Sequence, residues 1–255
     1  MRGFPKWGGL GRSQGSGRTL RRSASGGAVR EKGWVQVDDK RVVRLTALAG
    51  VLFVVLIIVQ GPVLTPSLKV TDSAQKIFNS IRSHQGNIKA SAALYGLAMS
   101  AVLLWAAGLF RVLRKAEGGA AGLAATALGG IALAAAMSVV AAATEAVTAL
   151  RINDLSPSGA RFYYTLSQFT QGGILFGLLV VVGATALVSL RTGLIGRWFG
   201  IVSVVLAVVS VVGAAGVSYA SNTIQTVTGI GLILDTLWIL VVSVYLWRQP
   251  ELAIP

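Results

Sequence analysis

Residues 45–64 read LTALAGVLFVVLIIVQGPVL, and this stretch decides the fold. It holds no charged residue over 20 positions. A helix of this length rises about 30 Å at about 1.5 Å per residue, which is enough to cross the hydrocarbon core of a bilayer. We therefore expect residues 45–64 to form a membrane-spanning helix.

Five more apolar stretches follow, and short charged loops separate them. Such alternation is typical of a polytopic membrane protein. The sequence therefore predicts an all-α fold, a polytopic transmembrane helix bundle with six spanning helices. The further spans are expected at residues 91–113, 121–147, 168–190, 198–218 and 224–247, within a transmembrane domain at 44–249 that is flanked by a basic tail at 1–43 and a short tail at 250–255.

The charge of the chain is low and unevenly placed. Charged residues make up 13% of the sequence, against about 25% in a soluble domain. The net charge is +14, but 11 of the 23 Lys and Arg residues lie in the first 44 positions. Basic charge placed in this way orients a membrane protein and contacts anionic lipid headgroups. We expect the lipid bilayer as a partner, with an unidentified membrane protein as a further one, and no nucleic acid.

The N-terminal tail, residues 1–43, is rich in Gly, Ser and Arg and poor in apolar residues, so we expect it to be disordered. A basic side chain near an anionic leaflet contributes about 1 kcal/mol to membrane binding. A solvated linker is the alternative interpretation. The candidate membrane-surface contacts are Arg18, Arg21, Arg22, Arg30, Lys40, Arg41 and Arg44.

Orientation follows from the same tail. Basic residues concentrate on the cytoplasmic side of a membrane protein, and an even number of spans returns the chain to the side from which it started. We therefore predict that both termini are cytoplasmic. Arg outnumbers Lys by 16 to 7, a bias typical of high-GC bacterial genomes, so the expected location is the bacterial inner (plasma) membrane.

Enzymatic chemistry finds little support in the sequence. The chain has no cysteine and one histidine, His84, whereas a zinc site needs three or four protein ligands. The HExxH and P-loop patterns are absent, and the one GxSxG spacing, at residues 11–15 (GRSQG), lies in the Gly- and Ser-rich tail, where no strand-to-helix turn is expected. We expect no catalytic residue, no metal and no cofactor, and we predict that the protein is not an enzyme.

An acidic residue, Asp235, lies near the centre of the last predicted span. A charged carboxylate at this depth costs roughly 2.5–3.5 kcal/mol, so we expect a neutral carboxyl that faces the bundle interior. It is either a proton, cation or ligand site or a packing residue with one interhelical hydrogen bond. The candidate partners at similar depth are Ser100, Ser138 and Ser210.

A second acidic residue, Glu145, lies near the outer end of the third predicted span. Polar residues at that depth either line an outward-facing cavity or are ordinary interfacial residues at the level of the lipid headgroups. The residues expected around Glu145 are Gln60, Tyr163, Tyr164, Gln168, Gln171, Gln225 and Thr228.

The loop between the first two spans carries a short helical pattern. Asp72 can cap this helix, with Gln75 three residues later as in a capping box, and Gly86 and Asn87 are expected to end it. The helix is amphipathic. It therefore either lies on the outer membrane surface or packs over the mouth of the bundle.

Three stretches carry a likeness to known proteins: NSIRSHQGNIKASAALYGLA (79–98), ALVSLRTGLIGRWFGIVSVV (186–205) and LWILVVSVYLWR (237–248). They resemble a family of bacterial six-helix integral membrane proteins that is frequent in actinobacteria. The resemblance covers residues 44–249 and implies the six-helix architecture. It implies no agreed activity and no catalytic residue.

Two functions therefore stay open. The first is a non-enzymatic sensor, regulator or accessory subunit that works through helix packing and a tail at the membrane surface. The second is a small proton- or cation-coupled transporter that uses Asp235, with Glu145 as a further candidate.

Overall fold

A computed structural model of the chain describes residues 39–64, 66–216 and 222–249. Within these ranges the chain is almost entirely helical and contains no strand. Six of the helices are long and apolar enough to cross a membrane, which confirms the predicted all-α fold with six spans. The helices are α1 (Asp39–Ile58), α2 (Ala74–Ser83), α3 (Gln85–Ala116), α4 (Gly122–Leu150), α5 (Pro157–Thr192), α6 (Arg197–Gly216) and α7 (Asn222–Arg248), with a π-helical turn at Val59–Leu64 and a 3-10 turn at Ile152–Asp154.

Three spanning helices begin well before the residue that the hydropathy of the sequence indicates, and the first of them, α1, begins at Asp39, where residue 45 was expected. Helix α3 begins at Gln85, where residue 91 was expected, and α5 begins at Pro157, where residue 168 was expected. The start of α5 has a clear cause, because Ser156 accepts a hydrogen bond from the amide of Gly159 at 3.2 Å and Pro157 occupies the first turn. Both features favour a helix N-terminus. The polar first turns of α5 escape a search for apolar segments.

The six long helices form a closed ring. Each packs against two neighbours, in the order α1, α3, α4, α5, α6, α7 and back to α1. We call the end of this ring that carries α2 the α2 side, and the end at which α1 begins the tail side. Large apolar side chains such as Leu52, Leu104, Val140 and Ile201 are exposed along the outer faces of the helices. Such faces belong in contact with lipid.

Helices α4 and α5 approach each other backbone to backbone. A Cβ atom on Gly177 would lie 2.6 Å from the carbonyl oxygen of Gly130 and 2.6 Å from the amide nitrogen of Ala134. Only glycine allows two helix backbones to approach this closely. This contact fixes the separation of α4 and α5, which carry Glu145 and its hydrogen-bond donors.

An aromatic cluster closes the ring on the tail side. Trp105 of α3 meets Trp238 of α7 edge-on with ring centroids 6.2 Å apart, and Phe199 of α6 stacks on Trp238 at 6.0 Å. The indole Nε1 of Trp238 donates to Ser203 Oγ at 2.9 Å. All three rings are buried, so the middle of the ring is filled with side chains at this level.

Helix α2 packs on the bundle. Ile77 and Ile81 are buried in a cluster with Ile88 of α3, Ala149 of α4 and Ala160 of α5. Of the two alternatives for this helix, the contacts favour packing over the mouth of the bundle, because a helix lying in the headgroup layer would turn its apolar face to lipid.

The ends of α2 differ from the prediction. Ser73 caps the helix by accepting a hydrogen bond from the amide of Lys76 at 3.3 Å, whereas Asp72 accepts from the amide of Lys69 and pairs with the Lys76 ammonium. The helix ends at Ser83, before Gly86 and Asn87, which belong to the first turn of α3. Both Asp72 and Ser73 are good cap residues, and the neighbouring backbone decides between them.

Most of the basic tail lies outside the described residues, and its predicted disorder concerns that part of the chain. The same is true of four candidates for membrane-surface contact, Arg18, Arg21, Arg22 and Arg30. The remaining candidates for membrane-surface contact begin α1. Lys40, Arg41 and Arg44 are exposed there, and the guanidinium of Arg44 lies 5.9 Å from the ring centroid of Trp247 at the end of α7. That distance is within the range of a cation–π contact, which here joins the first and the last spanning helix.

Candidate functional site

A partly open cavity of about 490 Å³ occupies the middle of the ring. It is lined by α1, α2, α3, α4, α5 and α7 and by the segment that follows α1, while α6 contributes no lining residue. A cavity of this size falls within the range of sites for small molecules. The polar residues that line it are Gln60, Ser67, Tyr95, Ser138, Glu145, Thr148, Tyr163, Tyr164, Gln168, Gln171 and Thr236.

Glu145 is the acidic residue of this cavity. Its Oε1 accepts hydrogen bonds from Ser167 Oγ at 3.2 Å and from Gln171 Nε2 at 3.0 Å. Ser167 and Gln171 are one turn apart on α5, so they present both donors on one face of that helix. Both donors go to the same oxygen, and Oε2 receives no hydrogen bond from the described residues. The carboxyl is therefore positioned by two donors while its second oxygen stays available.

Another part of the cavity wall is built by the π-helical turn that follows α1. The π-helical turn at Val59–Leu64 carries Gln60, whose Nε2 donates to Ser91 Oγ of α3 at 2.9 Å. The segment that follows is tied down by Tyr164, whose hydroxyl donates to the carbonyl oxygen of Leu68 at 2.8 Å. Single π-helical turns recur at functional sites because they turn side chains out of the regular helical register. Here the turn lies at the wall of the cavity.

The deeper part of the cavity, toward the tail side, is mostly apolar. Tyr95 and Ser138 mark the transition, with the two hydroxyl oxygens 3.5 Å apart. Beyond them most of the lining side chains are apolar, and the aromatic cluster packs next to the last of these. Thr236 is the polar exception, and its hydroxyl donates to the carbonyl oxygen of Leu232 in its own helix at 2.7 Å. The deep lining residues are Phe53, Met99, Val102, Ile131 and Ile239.

Of the seven residues that the sequence placed near Glu145, the six whose side chains the structure describes separate into two groups. Gln60, Tyr163, Tyr164, Gln168 and Gln171 all line the cavity with Glu145, so the cavity interpretation describes them better than an interfacial belt. Thr228 does not line it. Its hydroxyl donates to the carbonyl oxygen of Gly213 on α6 at 3.1 Å. The side chain of Gln225, the seventh residue of the predicted set, lies outside the described part of the chain.

Asp235 lies outside the cavity. Only 1% of it is exposed, and it faces α6, where its Oδ2 lies 3.1 Å from Ser210 Oγ. Of the three predicted partners, Ser210 alone contacts it. Ser100 is exposed and donates to the carbonyl oxygen of Gly96 in its own helix, and Ser138 contacts Tyr95 in the cavity. The three serines lie at a similar depth, but they face different directions around their helix axes, so they do not all reach Asp235.

Five polar residues of the site were missed from the sequence, namely Ser67, Tyr95, Thr148 and Thr236 of the lining and Ser167 beside Glu145. Ser167 was assigned to a loop because α5 was expected to begin at residue 168, and Tyr95 was read only as part of an apolar span. The cap formed by Ser156 and Pro157 was the signal that could have placed Ser167 on the helix, one turn before Gln171. No sequence signal places Tyr95 in the cavity.

Comparison of the chain with protein-family models, with curated proteins and with solved structures finds no match. The resemblance to a six-helix bacterial family, expected from the three stretches quoted above, stays a prediction. The residues that line the cavity are therefore the main indication of function. Its arrangement of one acidic group, amide and phenol groups at one end and hydrocarbon side chains at the other suits a molecule that is polar at one end and apolar along the rest.

Proposed function

We propose that the protein is a non-enzymatic sensor, regulator or accessory subunit of the bacterial inner membrane that binds an amphipathic small molecule within its helix ring. The cavity carries this proposal, because one end is polar and the other is apolar. The cavity is partly open, which gives an amphiphile a route into it. Occupancy would change the packing of α1 and α5, which line both parts of the cavity.

The contacts of Asp235 favour this function over a transporter that uses Asp235. The carboxyl is sealed between α6 and α7 and does not reach the cavity. The aromatic cluster also blocks the ring on the tail side, so the cavity has no continuation to that end. A transport cycle would have to open the contact between Trp105 and Trp238. Proton-coupled uptake of an amphiphile into vesicles that contain the purified protein would favour the transporter.

Photolabelling tests the proposal directly. The protein is reconstituted in phosphatidylcholine vesicles with dodecanol that carries a diazirine on its terminal carbon, irradiated, and mapped by peptide mass spectrometry. We expect label on Met99 and Ile131, which line the cavity and are buried from lipid, as well as on the lipid-facing Leu104 and Leu133. Label confined to the lipid-facing pair would overturn the proposal.

A pair of adjacent substitutions provides the matched control. Ala135 lines the cavity, whereas Ala136 is exposed on the outer face of the same helix turn. Ala135→Phe fills the cavity and should reduce the labelling of Met99 several-fold, while Ala136→Phe should leave it unchanged. Equal labelling of Met99 in both folded variants would contradict a binding cavity. If Ala135→Phe does not fold, the label distribution in the wild type decides alone.

A further inference from the structure

We infer that the cavity selects a cationic amphiphile, a molecule with an ammonium head at Glu145 and a single long hydrocarbon chain along the deep apolar wall. This inference rests on the proposed function and specifies its ligand class. It stands on the charge, the hydrogen bonding and the shape of the cavity.

The charged groups that line the cavity are of one sign. Glu145 is the single acidic residue among the lining residues that the structure describes, and no Lys, Arg or His accompanies it. A carboxylate at this depth is costly unless a partner compensates it. Because none of the described lining residues supplies a positive charge, a cationic ligand is the partner that suits an ionised Glu145.

The hydrogen bonds of Glu145 favour a donor head in the same way. Ser167 and Gln171 both donate to Oε1 and hold the carboxyl in place. Oε2 receives no hydrogen bond from the described residues. An ammonium group provides several N–H donors, and a charge-assisted hydrogen bond to a carboxylate is about twice as strong as a neutral one. Tyr163 and Tyr164 line the same end, and the faces of aromatic rings attract cations.

The shape of the cavity selects the rest of the molecule. On α4 the lining runs from Glu145 to Ile131, which are separated by about 21 Å along the helix at about 1.5 Å per residue. A volume of about 490 Å³ that extends over this length favours one linear chain over a branched or polycyclic body. The aromatic cluster on the tail side sets the limit on chain length.

Competition with the photolabel tests the head group. Dodecyltrimethylammonium, dodecylammonium, dodecanol and dodecyl sulfate are added in turn to vesicles with the labelled dodecanol. We expect dodecylammonium to reduce the labelling of Met99 and Ile131 at a concentration about tenfold lower than the concentration of unlabelled dodecanol that has the same effect. One charge-assisted hydrogen bond accounts for a difference in affinity of about this size. Dodecyl sulfate should be the weakest competitor. Concentrations are corrected for partition into vesicles without protein.

Two acid-to-amide variants separate the site from a general effect of charge in the membrane. Glu145→Gln keeps a carbonyl oxygen for Ser167 and Gln171 but loses the charge, so it should abolish the preference for ammonium while dodecanol still labels the cavity. Asp235→Asn makes the same change outside the cavity and should keep the preference.

The outcomes are distinguishable. Cavity labelling without any head-group preference, or an unchanged preference in folded Glu145→Gln, would overturn the inference and leave the proposed function standing. Loss of cavity labelling in the wild type would overturn both. If Glu145→Gln lowers the thermal midpoint so far that it does not fold, the order of the four competitors on the wild-type protein decides.

Discussion

Asp235 and Glu145 are both acidic residues within spanning helices, yet their surroundings differ. Glu145 reaches into the cavity and is held by two donors, whereas Asp235 is sealed against α6 with Oδ1 unpartnered among the described residues. Ser210 Oγ lies 3.1 Å from Asp235 Oδ2 and 3.1 Å from the carbonyl oxygen of Leu206. A hydroxyl has one proton, so a neutral Asp235 that donates to Ser210, which then donates to Leu206, satisfies both contacts. This arrangement favours a packing role for Asp235.

The packing role predicts that Asp235 can be replaced. Asp235→Asn keeps a polar group for Ser210, and Asp235→Leu leaves Ser210 bonded to Leu206, so neither change strands a buried donor. We expect both variants to fold and to change the free energy of unfolding by no more than about 1 kcal/mol. The measurement is reversible unfolding in mixed micelles of rising SDS content.

Ser210→Ala serves as the matched control because it removes the other member of the same hydrogen bond. It should leave Asp235 without its partner and destabilise the protein more than Asp235→Leu does. A large loss of stability in Asp235→Leu, with Ser210→Ala unaffected, would show that the carboxyl has a partner beyond Ser210. Loss of function in a stable Asp235→Asn variant would restore the transporter hypothesis.

The sequence locates both acidic residues, because a carboxyl within an apolar span stands out in any sequence. It also places Gln60, Gln168 and Gln171 at the depth of Glu145. It does not reveal the rotation of each helix about its axis, which decides whether a residue faces a neighbour, the cavity or lipid. Ser100 and Ser210 illustrate the difference, since they were expected at similar depth but only Ser210 faces Asp235.

At the scale of helices, Gly177 lies where the backbones of α4 and α5 meet. The GxxxG spacing of Gly173 and Gly177 predicts a close crossing, and the Cβ of an alanine at 177 would lie 2.6 Å from backbone atoms of α4. Gly177→Ala should therefore force α4 and α5 apart and reduce the free energy of unfolding by roughly 1–3 kcal/mol. Unfolding in SDS measures this change. Separation of the two helices should also weaken the hydrogen bonds to Glu145.

Gly183→Ala is the matched control on the same helix. A Cβ at this position meets no atom within 4 Å, so the substitution removes only the flexibility of glycine. Alanine in a helix interior should then stabilise the protein by about 0.5–1 kcal/mol. Equal destabilisation by Gly177→Ala and Gly183→Ala would mean that the contact between α4 and α5 is looser than the geometry indicates.

The turn before α2 is sensitive to acid. Asp72 accepts hydrogen bonds from the Lys76 ammonium and from the Lys69 amide, and both lower the pKa of its carboxyl below the ordinary value. A lowered pKa in the folded state means that the ionised carboxylate stabilises the turn at neutral pH. That stabilisation is lost as the pH falls through the folded-state pKa. The turn should therefore open in acid.

Amide hydrogen exchange tests this prediction. The Lys69 amide should lose protection as the pH falls below the ordinary range of an aspartate, and in Asp72→Ala, which removes the acceptor, its protection should be low and independent of pH. The Ile77 amide, which donates to the carbonyl oxygen of Ser73, serves as the control because no carboxylate takes part in its hydrogen bond. Parallel loss of protection at Lys69 and Ile77 would indicate unfolding of the whole segment.

Helix ends were the least predictable elements. Apolar runs define the middle of each span because burial in lipid requires them, and all six spans were found in this way. The ends depend on capping, which short polar residues decide locally. Helix α5 begins 11 residues before its apolar run because of Ser156 and Pro157, and α2 is capped by Ser73 rather than by its neighbour Asp72.

At the scale of the molecule, the ring is closed on the tail side by aromatic side chains and carries its polar groups on the α2 side. Helix α6 lines none of the cavity and exposes a row of valines, so it acts as a support for α5 and α7. Five of the six long helices therefore surround a cavity whose polar end lies on the α2 side. The orientation of the protein in the membrane decides whether a ligand comes from the outer or the inner leaflet.

The basic tail should set that orientation. Of the 12 Lys and Arg residues beyond position 44, six lie on the α2 side and six on the tail side. Residues 1–44 add 11 more to the tail side, so the tail side should be cytoplasmic and the α2 side external. Reporter fusions after residues 67, 119, 155 and 194 should then read outside, inside, outside and inside.

A second set of fusions tests the cause of this orientation. With all 11 basic residues of positions 1–44 replaced by glutamine, the remaining charges are balanced, so the chain should insert in both orientations and each fusion should give a mixed signal. Replacing the six basic residues of the α2 side should instead leave the original pattern intact, because that change increases the difference between the two sides. An outside signal at residue 119 in the unaltered chain would show that the orientation is the reverse of the predicted one. If the first variant keeps the original pattern, the spans themselves, and not the basic residues of the tail, determine the orientation.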